Sequence, residues 1–443
     1  MDKDIFIKLL AQREFKAVRS ILDVMNEVDI ASLLSTLSDK ELALAFRLIP
    51  KDKAAEVFSN MDTSMQTYLV TMFTEKELKE LLDDLYMDDT VDMLEELPAN
   101  LVKRILATVS ASDRSMINQL LNYPEDSAGS IMTTEYVDLR EEMTVGQAMA
   151  HIKKTGIHKE TIYTCYVTEN NRKLVGMVSL RTLLFSEDED VLENIMESNV
   201  ISVNTLEDQE SVAQMFTKYD FAALPVVDQE NRLVGIITVD DAIDVLQEET
   251  TEDFEKMAAL LPSEDEYLKT SVFTLTKNRL PWLLVLMISG TISASIISRY
   301  QYVLTSVLAL SAYMTILTGT GGNSGSQAST LIIRGMALGE IEMKDIFKTL
   351  WKEVRVGILC GIMLGLVNFV RLLFFDNVSL LVNVTVSFTM AVVVVVAKAI
   401  GCTLPMLAKK IGFDPAIMAG PLITTVVDAI SLLIYFNIAN ILL

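Results

Sequence analysis

At 443 residues, with 51% of them hydrophobic and a mean hydropathy of +0.35, the chain is too long and too apolar for one soluble domain. Charge is spread unevenly: from Pro281 onward there are 10 Lys/Arg and 7 Asp/Glu, which leaves residues 1–280 with 27 and 53, a net −26. A surface of that sign repels phosphates, so nucleic acid is excluded as an expected partner and multivalent cations are favoured.

Cys165, Cys360 and Cys402 form no metal-ligand spacing and read as free thiols of a reducing compartment. His151 and His158 fit a helix surface better than a zinc or iron site. The start, Met1-Asp2-Lys3-Asp4, lacks the basic and apolar regions of a signal peptide, so the acidic half is expected in the cytoplasm.

Residues 1–127 read as helices throughout, with apolar positions recurring at three and four, as in Leu78, Leu81, Leu82 and Leu85. Two similar units run from Asp39 to Ile49-Pro50 and from Thr74 to Leu97-Pro98. A proline is tolerated in the first turn of a helix, so both steps are expected to be hairpin corners of a small helical superhelix.

Residues 128–249 hold an internal repeat. Leu174–Leu180 (LVGMVSL) returns 59 residues later as Leu233–Val239 (LVGIITV), and Ile131-Met132 returns 64 residues later as Ile195-Met196. The first copy therefore carries about five extra residues, expected around Gly156–Tyr163. Each copy orders a β-rich run, a turn, a second β run and a helix. This arrangement resembles a tandem pair of cystathionine-β-synthase-type (CBS) domains, an α/β module. Such pairs often bind adenine nucleotides, so ATP stands as a candidate ligand there, although the stretch has no phosphate-cradling glycine loop.

The second copy runs into an acidic stripe. Asp241, Asp244, Glu248 and Glu252 share one helix face, flanked by Glu249 and Asp253. A long connecting helix is expected over residues 250–280, a cation-sensitive link to the membrane. A merely solvated face is the commoner meaning of such a run.

Five spans are expected in residues 281–443, at about 281–298, 303–333, 354–375, 379–407 and 416–442. Basic residues concentrate in the 334–353 and 408–415 loops, which places those loops inside and the C-terminus outside. The second span contains Gly319–Gln327 (GTGGNSGSQ), expected to be non-helical backbone covered by protein or lining a cavity. The last span carries Asp428 at its middle. A carboxylate there costs roughly 2.5–3.5 kcal/mol on insertion scales and normally faces a water path or a partner helix. Gly420-Pro421 is expected to open the backbone one turn earlier. Thr424, Thr425 and Asp428 then offer oxygen ligands of the kind a hard, hydrated cation takes.

Taken together, Gly319–Gln327 leading to Arg334, Gly412–Ala416 (GFDPA) leading to Pro421–Asp428, and the domain order resemble the MgtE family of magnesium channels/transporters over nearly the whole chain. The resemblance implies a homodimer in the inner (plasma) membrane, with a pore along its twofold axis lined by the second and fifth spans. It implies Asp428, the Thr424 backbone carbonyl and the inner-mouth residue Asp414 as pore positions. Gly420 stands where some relatives carry a polar amide. Regulatory magnesium positions are implied at Glu56, Asp88, Asp92, Glu210, Asp220, Asp241, Asp244, Glu249, Glu252 and Asp253.

The expected function is passage of hydrated Mg²⁺ down its gradient, closed by cytosolic Mg²⁺, in a chain that is not an enzyme. Broader Mn²⁺/Co²⁺ transport is the alternative. An intramembrane aspartyl protease would need a second carboxylate facing Asp428, and Asp376 and Asp414 lie at span ends. A CBS-linked anion channel would need a basic filter, and Lys398 is the one residue that favours it.

Overall fold

The computed structural model describes residues 3–263, 267–268, 270–376 and 378–443. The chain divides into two compact units, Met1–Leu246 and Gln247–Leu443.

The first unit opens with ten short helices, α1 (Lys3–Ala11) through α10 (Ala111–Leu120). Their ends are written locally. Ser38 with Glu41, and Thr74 with Glu77, form capping boxes that satisfy the first free amides of the fourth and seventh helices. Pro50 and Pro98 stand immediately before the fifth and ninth helices, with extended ψ of 140° and 139°, so each proline step is a corner between two helices. Apolar positions at three and four fill one core: Leu78 and Leu69 are fully buried and Phe58 is nearly so. Arg104 donates to the carbonyls of Val70 and Phe73 and pairs with Glu75, tying one hairpin to the next.

The repeat follows. Its first copy is β1 (Asp138–Arg140), α11 (Val145–Thr155), β2 (Thr164–Thr168), β3 (Leu174–Ser179) and α12 (Leu180–Phe185). The second is α13 (Leu192–Ile195), β4 (Val203–Asn204), α14 (Gln209–Tyr219), β5 (Ala223–Val227), β6 (Leu233–Thr238) and α15 (Val239–Met257). Each copy builds a three-stranded sheet in which the first pair is parallel and the second antiparallel. Pairing of Thr164 with Ser179 returns as Ala223 with Thr238, the 59-residue offset of the sequence. The extra residues of the first copy lie where expected: eight residues separate α11 from β2, against three between α14 and β5.

The copies also dock reciprocally. A side chain on Gly176 would strike the Met196 sulfur, and one on Gly235 would strike the Met132 sulfur. The two repeated Met positions thus fill the two repeated Gly positions.

The long connecting helix is not continuous. α15 stops at Met257, Ala259 adopts a left-handed φ of 57°, and Pro262 disfavours helix at Leu261. Helix resumes as α16 (Val272–Arg299), capped by Ser271. Residues 264–266 and 269 of the expected connector lie outside the described residues.

The second unit continues with α17 (Gln301–Ser306), α18 (Leu310–Ala337), α19 (Ile346–Phe375), α20 (Leu380–Lys410) and α21 (Gly420–Leu442). Among the described residues four helical segments are long and apolar enough to cross a membrane: Val272–Arg299, Met343–Phe375, Leu380–Lys410 and Gly420–Leu442. α18 is not among them, because its middle is glycine and hydroxyl residues.

That middle corrects one expectation. Gly319–Gln327 is regular helix inside an unbroken 28-residue α18, not irregular backbone. The small residues serve contact instead. A side chain on Gly321 would meet Ser431 and Val393, one on Gly325 would meet Val427, and Gly401 of α20 lies against the Gly325 carbonyl. Helix satisfies the backbone internally, and glycine lets helices approach closely.

The same device recurs on α19. Gly357, Gly361 and Gly365 lie against Val395, Ala391 and Ser387 of α20. Gly361→Leu is therefore expected to lower the thermal midpoint in detergent by an overpacking cost of about 1–3 kcal/mol. Gly290→Leu, where nothing lies within 4 Å, is expected to leave it unchanged. Equal midpoints for the two variants would contradict the close-packed seam.

Candidate functional site

α21 begins at Gly420, whose φ is +43°, after a short turn over Pro415–Met418. Pro421 is therefore a first-turn proline, and the expected opening of the backbone upstream of Asp428 is corrected to a helix start. The Thr424 and Thr425 hydroxyls both donate to the Pro421 carbonyl, at 2.8 and 2.9 Å. Both are back-bonds of helical hydroxyls to a carbonyl three or four residues earlier, and they hold the two side chains against their own helix.

Asp428 remains available. A side chain built on Gly322 of α18 would lie 3.2 Å from Thr424 Cγ2 and 3.6 Å from Asp428 Oδ1, so Thr424 and Asp428 face the glycine-rich middle of α18 together. Asp428 is half-buried and has no hydrogen-bond or ion-pair partner among the described residues.

Three other charged residues, candidates for the rival readings or the mouth, are engaged elsewhere. Lys398 lies 3.9 Å from Glu353, both nearly fully buried. Asp376 accepts from Tyr313 and lies near Arg371. Asp414 caps the Pro415–Met418 turn and receives Lys256 Nζ at 2.6 Å.

A second concentration of carboxylates lies in the first unit. Asp88, at the start of α8 (Met87–Glu96), is only 8% exposed and accepts from the Asp89 amide. Burial, and then Asp241, push the Asp88 carboxyl well above its usual range. Asp89 is pushed up to about 7 by burial and by Asp241 and Asp240. Asp241 is pushed up to about 6 by burial and by Asp240, against a hydrogen bond from Thr238 that holds it down. Glu160 is pushed up to about 8 by burial and by Asp240 and Asp241. Its Oε2 is buried without a hydrogen-bond partner, while its amide is tied to the Glu135 carbonyl.

Of the expected regulatory positions, the fold brings Glu56, Asp88 and Asp241 into mutual electrostatic range through Asp89. Asp92 and Asp244 are exposed on the same helices, α8 and α15. Glu210 and Asp220 are not brought together: they stand at opposite ends of α14, about 15 Å apart at 1.5 Å per residue. Glu249, Glu252 and Asp253 belong to the end of α15, where Glu252 shares Lys256 with Asp414.

Asp89, Asp240, Glu135, Glu160 and Lys256 were missed by sequence reasoning. Glu160 had a signal, since it falls in the five-residue excess of the first copy. Among the described residues no three His, Cys, Asp or Glu side chains converge into a bare-ion cage.

Between the two copies of the repeat lies a cleft of about 520 Å³, lined by Thr164, Ser179, Thr182, Glu197, Asp220 and Phe221 among others, none of them Lys or Arg.

The raised carboxyls fix a direction for pH. Each gives stability that is present below the ordinary carboxylate range and lost as pH rises through its folded value. With chelator present, the thermal midpoint of the first unit is therefore expected to fall as pH rises through about 6, 7 and 8, the values of Asp241, Asp89 and Glu160. Asp89→Asn is expected to flatten that slope. Scanning calorimetry of the full chain checks it, and a midpoint independent of pH would contradict it.

Comparisons with known proteins cover up to 98% of the chain. The MgtE family model, described as a divalent cation transporter, matches residues 314–438. The MgtE intracellular N domain matches 25–126, and CBS domains match 128–188 and 192–248. A magnesium transporter MgtE of Thermus thermophilus is 36% identical over 438 residues, 98% of this chain and 97% of the relative. The Bacillus subtilis counterpart is 34% identical over 98% of this chain and 96% of its own length. The crystal structure of the cytosolic domain of an Mg²⁺ channel MgtE in complex with ATP matches 54% of this chain and 98% of that one, at 36% identity and a TM-score of 0.52. The soluble part of a magnesium transporter matches with the same score at 30% identity, over 56% of this chain and 97% of that one. With matches to all three domain types and full-length relatives above 30% identity, the chain belongs to the MgtE family of divalent cation transporters.

Proposed function

We propose that the chain passes Mg²⁺ through a cell membrane down its electrochemical gradient, as a homodimer, along a path lined by α18 and α21. The observation that carries this reading is Asp428: an unpartnered carboxylate in an apolar helix, facing the smallest residues of α18 beside Thr424. α18 would be the second span in chain order and bring the count to five, its polar middle shielded from lipid by α20 and α21. The N-terminal half would lie in the cytoplasm and the C-terminus outside.

Magnesium gives up its waters reluctantly, so Asp428 from two protomers would hold a hydrated ion through its water shell, with Thr424 supplying a backbone oxygen. No motor is required. A negative-inside potential contributes about 2.3 kcal/mol per charge per 100 mV, and twice that for a divalent ion.

Cytosolic Mg²⁺ would close the path through the acidic half. The carboxylates of α8, α15 and Glu160 already disfavour ionising together. A hydrated divalent ion shared among Glu56, Asp88, Asp92, Asp241 and Asp244 would relieve that repulsion, with an affinity of about millimolar for water-mediated contacts. Glu210, Asp220, Glu249, Glu252 and Asp253 would act as further, weaker positions. An adenine nucleotide in the cleft lined by Ser179 and Thr182 is the reading suggested by the ATP-bound relative. With no basic side chain in that lining, the triphosphate would need a metal ion to offset its charge.

A broader divalent transporter is the second reading, supported by the general description of the family model. The protease and anion-channel readings lose their support, because Asp376, Asp414 and Lys398 each have a partner away from Asp428.

Reconstituted into proteoliposomes, the protein is expected to carry Mg²⁺ inward, and Asp428→Asn is expected to lose at least about tenfold of that flux, a differential of about 1.4 kcal/mol or more. Undiminished flux in Asp428→Asn would overturn the pathway. Comparison of Mg²⁺, Mn²⁺ and Co²⁺ in the same vesicles decides between the two cation readings.

A further inference from the structure

The end of α15 meets the start of α21 through an unusual partner for an acidic channel mouth, a lysine. Lys256 Nζ lies 2.6 Å from Asp414 Oδ2 and 2.7 Å from Glu252 Oε1, with its side chain only 20% exposed. A third carboxylate, Asp253, sits close enough that burial and then the Asp414 charge raise its affinity for a proton. One ammonium thus stands among three carboxylates.

The next residue seats the same contact. Met257 packs against the cluster that holds Ile332, Met336, Met406, Ala416 and Ala419. Its carbonyl lies so close to Gly420 that a side chain there would have no room, and Gly420 has the φ of +43° that favours glycine. The glycine at the head of α21 is therefore explained by the approach of α15.

We infer that Lys256 is a tethered cation that occupies the acidic inner mouth and latches α15 to the 414–420 turn, and that a divalent ion binding there must displace it. The inference rests on the reading of α21 as the ion path. Its physical basis is the count of charge. One ammonium among Glu252, Asp253 and Asp414 leaves two negative charges uncompensated, so the mouth still attracts a divalent ion. A hydrated divalent ion supplies twice the charge without a four-carbon stem, and it needs no bare cage because its waters make the contacts. A lysine ammonium is a compact point charge on a flexible chain, suited to leave and return.

The competition has a sign that a purely structural latch does not share. With Lys256→Gln the divalent ion has no rival, so the internal Mg²⁺ that half-closes the path is expected to fall several-fold. A latch that only holds the closed form together predicts the reverse, a rise. Lys256→Arg keeps the rival charge, so the fall is not expected in that variant.

A second measurement is independent of flux. The full chain in lipid is treated with an amine-acylating reagent while Mg²⁺ is raised at constant ionic strength, and labelling of Lys256 is followed by mass spectrometry. Labelling is expected to rise several-fold with millimolar Mg²⁺ and not with matched NaCl. Constant labelling, or an equal rise in NaCl, overturns the inference. If labelling rises with Mg²⁺ while Asp428→Asn keeps its flux, the tethered cation stands and the pathway reading falls. If labelling stays constant while Asp428→Asn loses flux, the tethered cation falls and the pathway stands.

Discussion

Backbone hydrogen bonding in an apolar surround governs the C-terminal half of this protein. Each peptide unit left unpaired away from water costs several kcal/mol, so a segment at that depth folds as helix even when its sequence prefers a turn. α18 is the case in point. Its glycines and hydroxyl residues would favour irregular structure in water, yet they run as regular helix from Leu310 to Ala337. Lacking side chains on one face, the helix lies close against α20 and α21, and this closeness brings Gly322 within reach of Thr424 and Asp428.

Much of the architecture was legible because it is written locally. Capping boxes, the corners at Pro50 and Pro98 and the 59-residue repeat depend on residues a few positions apart or on a pattern seen twice. The candidate pore carboxylate was legible for a different reason, since a lone charge in an apolar run has few bland explanations. What failed was legible only in three dimensions. Gly319–Gln327 carries the composition of a loop, and only its neighbours show that small size was needed for contact. The break after Met257 depends on a left-handed Ala259, a conformation that alanine does not advertise. Nothing in the local sequence marks Asp89, and burial beside Asp240 and Asp241 is what sets it and Glu160 apart.

The two halves manage charge by opposite means. In the first unit, carboxylates are crowded with few basic partners, and the fold tolerates this by favouring their protonated or cation-bound forms. In the second, three carboxylates near the helices each lie beside a basic side chain: Glu353 with Lys398, Asp376 with Arg371, Asp414 with Lys256. Asp428 departs from that pattern. An uncompensated charge is costly where partners are the rule, and it is in keeping with an ion that comes and goes.

The glycine seam between α19 and α20 has a mechanical consequence. Gly357, Gly361 and Gly365 interlock with the Val395, Ala391 and Ser387 backbone, while the Glu353–Lys398 pair and the Asn368–Ser387 hydrogen bond fasten the two ends of the contact. Sliding one helix along the other by a single residue, about 1.5 Å, would take every glycine out of its notch and strain both fastenings at once. Such a seam has no low-energy neighbouring register, so α19 and α20 behave as one stiff plate. Movement within this unit must then fall to the helices outside that plate, among them α18 with its glycine-rich middle and α21 with Asp428.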